Sequence, residues 1–297
     1  MKELFVGSAV ALVTPFHEDG SVDYEAFRTL VNKMIDNNVQ ALLVNGTTAE
    51  ASTLTVDEEH ELLRITVELA NKKIPVIAGT GSNDTTHALR ESKIAKEMGA
   101  DACLIVTPYY NKTSQQGLIQ HFTYLADNIG LPIILYNIPG RTGLMINVDT
   151  ALQLAQHPMI IGMKDATGNM AYTMELLAKV KDLDFDVWSG EDGLILPMIA
   201  AGGKGVISVL SNVYPKECQQ LCELALAGEN AKAQQLSYDL NDVCLGLFLD
   251  VNPICVKSAL AHQGICSDHL RMPLIPTTKE NQEKLFIAME IFESKGY

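Results

Sequence analysis

The chain is short of positive charge: 22 lysines and arginines stand against 36 aspartates and glutamates, a formal net charge of −14 at pH 7. No basic stripe is available to replace phosphate counterions, which weighs against nucleic acid as a partner. A small anionic substrate stays open, because one or two placed cations create a local anion site inside an acidic protein. Long apolar runs are also missing. None approaches the roughly 20 residues that cross a bilayer, so no membrane role is expected. The N-terminal "MKELFVGSAVALVTPFHEDG" has the charged start and apolar middle of a secretion signal, but it runs into Thr14-Pro15-Phe16 and then an amphipathic segment. It therefore reads as a first buried strand. The six cysteines (Cys103, Cys218, Cys222, Cys244, Cys255, Cys266) are scattered. Free thiols in a reducing cytoplasm fit them better than a disulfide scaffold. Cys218 and Cys222 could share a helix face, yet no second pair or nearby histidine completes a metal set. The seven histidines form no H-E-x-x-H, and no paired acids follow successive strands, so no metal is expected. "GTTAE" lacks the glycines and the lysine ending of a phosphate loop, and "GTGSND" is no dinucleotide fingerprint, so no cofactor is expected either.

What is present is apolar and periodic. Of 297 residues, 47% are hydrophobic, enough for one large domain or one domain with a small appendage. Short β-branched runs recur: Val6 to Val13, Gln40 to Val44, Pro75 to Ala78, Ala102 to Val106, Pro132 to Leu135, Ile160 to Met163, Asp186 to Trp188 and Gly205 to Val209. Most are continuously apolar, as expected of strands covered on both faces. The segments between them have helical period. Thr55 with Glu58 makes a capping box before Leu62, Ile65, Thr66 and Leu69, and Asp84 or Thr85 starts a helix carrying Ala88, Ser92 and Ala95. Eight such units predict a parallel TIM (β/α)8 barrel over residues 1–225. A helical extension follows over 226–297, broken at Pro273 to Pro276. An open doubly wound sheet fits the same periodicity, since periodicity does not count closure.

In such a barrel the C-terminal strand ends carry the chemistry. Here those ends are small, polar or phenolic, and Lys164 is the only lysine among them. A lysine at the end of a buried strand is costly as an ammonium, so burial favours the neutral, nucleophilic amine and a Schiff-base role. A lysine that snorkels to the rim or pairs with Asp165 is the plain alternative. Gly46 permits a tight turn in which Thr47 and Thr48 offer successive donors to a carboxylate. Tyr136, ending "PIILY", could relay protons at a carbinolamine. Tyr109 and Tyr110 in "TPYYN" cannot both point inward from strand-like backbone, so one is expected in this site and the other at a subunit boundary or second pocket. Arg141 in "NIPGRTG" could hold an acid bidentately from a loop at the mouth. Glu191-Asp192 is explained as well by helix capping as by acid–base work. The single Trp188 is expected in the core.

Taken together, "GTTAE", "TPYYN", "YNIPGRTG" and "KDATGN" resemble the dihydrodipicolinate synthase family, in the wider group of pyruvate-dependent aldolases and lyases that includes N-acetylneuraminate lyase. The resemblance runs from "TPF" through "GGKGVISV" to the tail. It implies that Lys164 forms an imine with pyruvate and that Tyr136 is the central proton-transfer phenol. Thr48 is its implied hydroxyl partner, and Tyr110 a relay member lent to a neighbouring subunit. Thr47, Thr48 and the Ile207 backbone would hold the pyruvate carboxylate, and Arg141 the second substrate, L-aspartate 4-semialdehyde. A cytoplasmic homotetramer built from tight dimers is implied as well. The double threonine and "PGRTG" favour a synthase over a neuraminate lyase, with another 2-keto acid aldolase or a non-catalytic metabolite-binding barrel as the remaining readings. Ala49 stands where glycine is common. The positions of a lysine-effector site are Ala51, Ser52, Val56, Glu59, Asn83, His87 and Tyr109. Val56 and Glu59 replace usual histidines and His87 a usual glutamate, so weak or no inhibition by lysine is expected.

Overall fold

Residues 3–297 are described by the structure, a computed structural model. The β-branched runs form eight strands: β1 Gly7–Ala11, β2 Ala41–Val44, β3 Val76–Gly79, β4 Ala102–Val106, β5 Ile133–Asn137, β6 Ile160–Asp165, β7 Asp186–Ser189 and β8 Gly205–Ser208. They pair in parallel in sequence order and β8 returns to β1, so the sheet closes and the open alternative falls away.

Closure explains the composition of the runs. Alternate residues face inward, and Ala9, Leu43, Leu104, Ile134, Tyr136 and Ile207 belong to one inner cluster. Their neighbours Val10, Leu42, Ile105, Leu135 and Met163 pack outward beneath the helices. With both faces buried, no polar alternation is required. Trp188 is fully buried inside the barrel and stacks on Phe5 with ring centroids 4.8 Å apart, filling the end where the strands begin. Gly162 makes room for it, since a Cβ there would lie 2.6 Å from the Trp188 ring.

Helix starts follow the local chemistry. Thr55 and Glu58 form both halves of a capping box on helix Val56–Ala70, which buries Leu62, Ile65 and Thr66. Asp84, rather than Thr85, caps helix Thr85–Glu97 by accepting from the Thr86 amide. Helix Pro215–Leu226 follows β8, and helices Asn230–Gly246, Ile254–His262 and Lys279–Glu293 make up most of the remaining chain. No helix among the described residues is long and apolar enough to cross a membrane.

The observed β5 and β6 run two residues beyond the expected Leu135 and Met163. Ladder hydrogen bonds belong to the backbone and do not require apolar side chains. Tyr136 and Lys164 are therefore strand residues, and they are register partners across the β5–β6 pair.

Candidate active site

Register partners on adjacent parallel strands project to the same side, so Tyr136 and Lys164 enter the barrel together. The Lys164 Nζ lies 4.5 Å from the Tyr136 ring centroid, and the residue is 5% exposed. Among the described residues no hydrogen bond or ion pair holds this amine. Asp165 faces the other way. Its carboxylate accepts from Thr173 Oγ1 at 2.5 Å and from the Thr167 amide at 3.0 Å, so it is no partner for Lys164.

Gly190, just past β7, keeps the lysine's space clear. A Cβ there would lie 2.6 Å from that of Ala166 and 3.2 Å from Lys164 Cε. Gly190→Ala is expected to displace the amine and lower kcat by about 10- to 100-fold in a folded protein. Steady-state kinetics beside a melting curve checks this, and unchanged kcat would show that the space is slack.

The turn after β2 places its two threonines differently. Thr47 and Tyr136 line one cavity of about 370 Å³. Thr48 is buried, and its Oγ1 accepts from Asn252 Nδ2 at 3.0 Å. Of the two threonines Thr47 is the one that lines this cavity with Tyr136, while the Thr48 hydroxyl, expected as Tyr136's partner, is held by Asn252. Strand alternation cannot assign neighbours on the 3-10 turn Thr47–Ala49. Glu50 ends this turn at φ +56, fully buried, with one carboxylate oxygen on Lys257 Nζ at 2.8 Å and the other on the Arg271 amide at 2.9 Å.

Tyr109 lines the same cavity, whereas Tyr110 is 92% exposed. Tyr110 sits at φ +66 in a three-residue turn closed by the Asn111 amide on the Tyr109 carbonyl at 2.8 Å. Such backbone is strained for a bulky L-residue, on the order of 1–3 kcal/mol, and strain of this kind concentrates at functional positions. Arg141 lies on the short helix Pro139–Thr142 after β5, exposed, with Nη2 donating to the Asn252 carbonyl at 2.9 Å. Asn137 steadies that loop by accepting from the Ile146 amide at 3.0 Å.

Ile207 is buried on β8. Just beyond it, the Asp192 carboxylate takes Ser208 Oγ at 2.5 Å and the amides of Val209 and Leu210 at 3.1 and 2.9 Å. Asp192 therefore ties down the chain leaving β8, a capping role on a neighbouring segment. Burial raises its carboxyl above the usual range, and these hydrogen bonds oppose the rise.

Ala51, Ser52, Val56, Glu59 and His87 line the cavity that Tyr136 reaches, but Asn83 does not. Its carbonyl accepts from Asn111 Nδ2 at 2.9 Å. Burial, and next the charge of Glu91, pushes Glu59 up to about 7. Burial works against ionisation of Glu91 too, but hydrogen bonds from Arg90 and His60 hold its carboxyl below the usual range. A carboxyl raised in the folded state stabilises the fold below its unfolded pKa, and that contribution is lost as pH rises through about 7. Glu59→Gln should therefore melt with a smaller difference between pH 5 and pH 8 than the parent. An unchanged difference would mean that Glu59 titrates normally.

Asn252 and the Glu50–Lys257 pair have no signal in the sequence, and Gly190 is marked there only as a strand-end residue. Among the described residues no group of three or more histidine, cysteine or acidic side chains could hold a metal ion.

A closed (β/α)8 barrel with a buried lysine beside a phenol that lines a cavity is an enzyme architecture. The chain belongs to the dihydrodipicolinate synthetase family, whose sequence profile matches residues 4–291. It is 47% identical over 290 residues to a 4-hydroxy-tetrahydrodipicolinate synthase of Geobacter metallireducens, covering 98% of this chain and 99% of that one. The chloride-inhibited dihydrodipicolinate synthase of Acinetobacter baumannii, solved in complex with pyruvate, shares the fold at TM-score 0.95 and 40% identity over 97% of this chain and 99% of that one. A monomeric dihydrodipicolinate synthase variant matches at TM-score 0.96 and 38% identity, over 98% and 97% of the two chains.

Proposed function

We propose that the chain condenses pyruvate with L-aspartate 4-semialdehyde, the reaction of 4-hydroxy-tetrahydrodipicolinate synthase in the diaminopimelate route to lysine. The observation that carries this reading is the Lys164 amine, inside the barrel beside the Tyr136 ring and without an ion-pair partner. Lys164 attacks the keto carbon and water leaves, forming an imine. The imine acidifies the pyruvate methyl group, and loss of a proton gives an enamine whose carbon adds to the aldehyde. The amine of the adduct then attacks the imine carbon, the ring closes, and Lys164 departs as the free amine. Lys164 is nucleophile and electron sink in one, so no organic cofactor is needed.

Tyr136 moves the protons of these steps, and Thr47, which lines the same cavity, supplies the hydroxyl partner. Thr47, the Thr48 main-chain amide and the Ile207 backbone hold the keto-acid carboxylate, and Arg141 the acid group of the aldehyde. Tyr110, exposed and strained in one chain, is given a purpose by a second copy whose site it enters. We infer a tetramer of tight dimers, which sedimentation would test. The six free thiols fit a reducing cytoplasm.

Lysine is expected to inhibit weakly or not at all. His87 offers no counter-charge to its ammonium, Glu91 is already bound by Arg90 and His60, and Glu59 is only partly ionised near pH 7. Activity titrated with lysine at physiological concentrations should stay within about twofold of the untreated rate, a change below 1 kcal/mol in effector coupling; strong inhibition would defeat the expectation. The reaction itself is tested by supplying pyruvate with aspartate semialdehyde, against cleavage of N-acetylneuraminate. Turnover of the first pair alone is expected, and preference for the sugar acid would transfer the chain to the lyase activity.

A further inference from the structure

The turn 46–50 carries Thr47 and Thr48, yet it contains little that could fix its own shape. Its internal bonds are two, from the Ala49 amide to the Gly46 carbonyl and from the Glu50 amide to the Thr47 carbonyl. It is flanked by Asn45 at φ +57 and ended by Glu50 at φ +56, left-handed conformations that persist only when the surroundings impose them. Asn45 is held through its side-chain amide on the Glu59 carbonyl at 2.9 Å, and Glu50 by Lys257 and the Arg271 amide. The middle of the turn is held by one side chain, that of Asn252 on Thr48 Oγ1.

Asn252 comes just before helix Ile254–His262, 204 residues from Thr48 in sequence, and it is 7% exposed. Its main-chain carbonyl takes the Arg141 guanidinium at 2.9 Å. One residue therefore touches the threonine turn with its side chain and the arginine loop with its backbone. Its Oδ1 is buried without a partner. A buried amide with half its capacity unmet is a costly way to fill space, and an apolar residue of similar size would fill it at less cost. The amide's remaining use is the Nδ2 bond to Thr48.

We infer that Asn252 is a positioning residue, which sets the Thr47–Thr48 turn against Tyr136 through Thr48 while its carbonyl independently steadies Arg141. This rests on the reaction proposed above. Because the two arms are separable, the prediction has a direction. Asn252→Ala removes the side-chain arm and leaves the carbonyl. It should raise KM for pyruvate and lower kcat, each about tenfold, while KM for the semialdehyde held at Arg141 changes less than twofold. Thr48→Val cuts the same bond from the other end and should give the same profile. The double variant should be no worse than either single one, where independent effects would multiply to about a hundredfold.

Melting curves of the same four proteins read the bond without substrate, and they too should be non-additive. Multiplying kinetic effects, an unchanged KM for pyruvate, or equal rises in both KM values would overturn the proposal. Non-additive melting with unaltered kinetics would make the contact merely structural and overturn it as well. Trapping of pyruvate on the parent protein by borohydride is the separate control. Its failure would remove the proposed reaction, while additive melting would still refute the Asn252–Thr48 coupling by itself.

Discussion

Lys164→Ala is expected to lose at least about a thousandfold in kcat while keeping the fold. The loss follows from the chemistry. Without the amine, pyruvate cannot form an imine, its methyl group keeps the acidity of a simple ketone, and no neighbouring side chain can substitute. Tyr136 can pass a proton but cannot serve as the electron sink. The fold should survive because Lys164 Nζ holds no other group in place. Its close neighbour is the Tyr136 ring, so truncation orphans no buried donor or acceptor. Activity assay and circular dichroism on the same preparation separate the two effects. Turnover near the parent rate would mean that another group captures the keto acid. A protein that no longer folds would mean that the lysine supports the barrel as well as the chemistry.

The second large effect is on stability. Lys257 is fully buried, its ammonium on Glu50 Oε1 at 2.8 Å and 4.1 Å above the Phe16 ring. Burial pulls the Lys257 amine below the ordinary lysine range, and the Glu50 carboxylate works against that shift. Lys257→Met would leave the carboxylate buried with the Arg271 amide as its remaining partner, at a cost of about 3–5 kcal/mol. In a chain of this size that lowers the melting midpoint by roughly 5 to 15 °C. Because Glu50 closes the turn that carries Thr47, surviving activity should fall as well. Adding Glu50→Gln removes the unpaired charge and should recover part of the lost stability, since replacing both members of a buried pair is far milder than removing one. If Lys257→Met alone melted within a degree or two of the parent, water or relaxation must reach Glu50, and the pair would not be what holds the turn.

Much of this was legible in the chain. Eight apolar runs with helical segments between them gave the barrel, because a parallel sheet buried on both faces leaves that pattern and few others do. Lys164 and Tyr136 stood out as polar residues ending apolar runs. Their register, which brings them onto one side of adjacent strands, needed the structure. Thr47 and Thr48 were legible as a pair, with Thr48 assigned to Tyr136 by resemblance alone; which of them lines the cavity needed the structure, because a 3-10 turn has no alternation to read. Asn252 and Arg271 gave no local sign at all. "VNP" before a helical stretch marks a helix start, and nothing in it points to a threonine 204 residues earlier. Lys257 lies in an otherwise apolar and small helical segment, where a buried charge could have been suspected. Its acid on the far side of the chain could not. Gly190 reads as an ordinary turn glycine, and only the neighbouring Lys164 and Ala166 side chains give it meaning.

Reduction of the protein with borohydride in the presence of pyruvate, followed by intact mass and peptide mapping, goes straight to the covalent step. One pyruvate-derived adduct per chain is expected, carried on the peptide that contains Lys164 and missing from Lys164→Ala. An unchanged mass, or a label on any other side chain, would contradict the account.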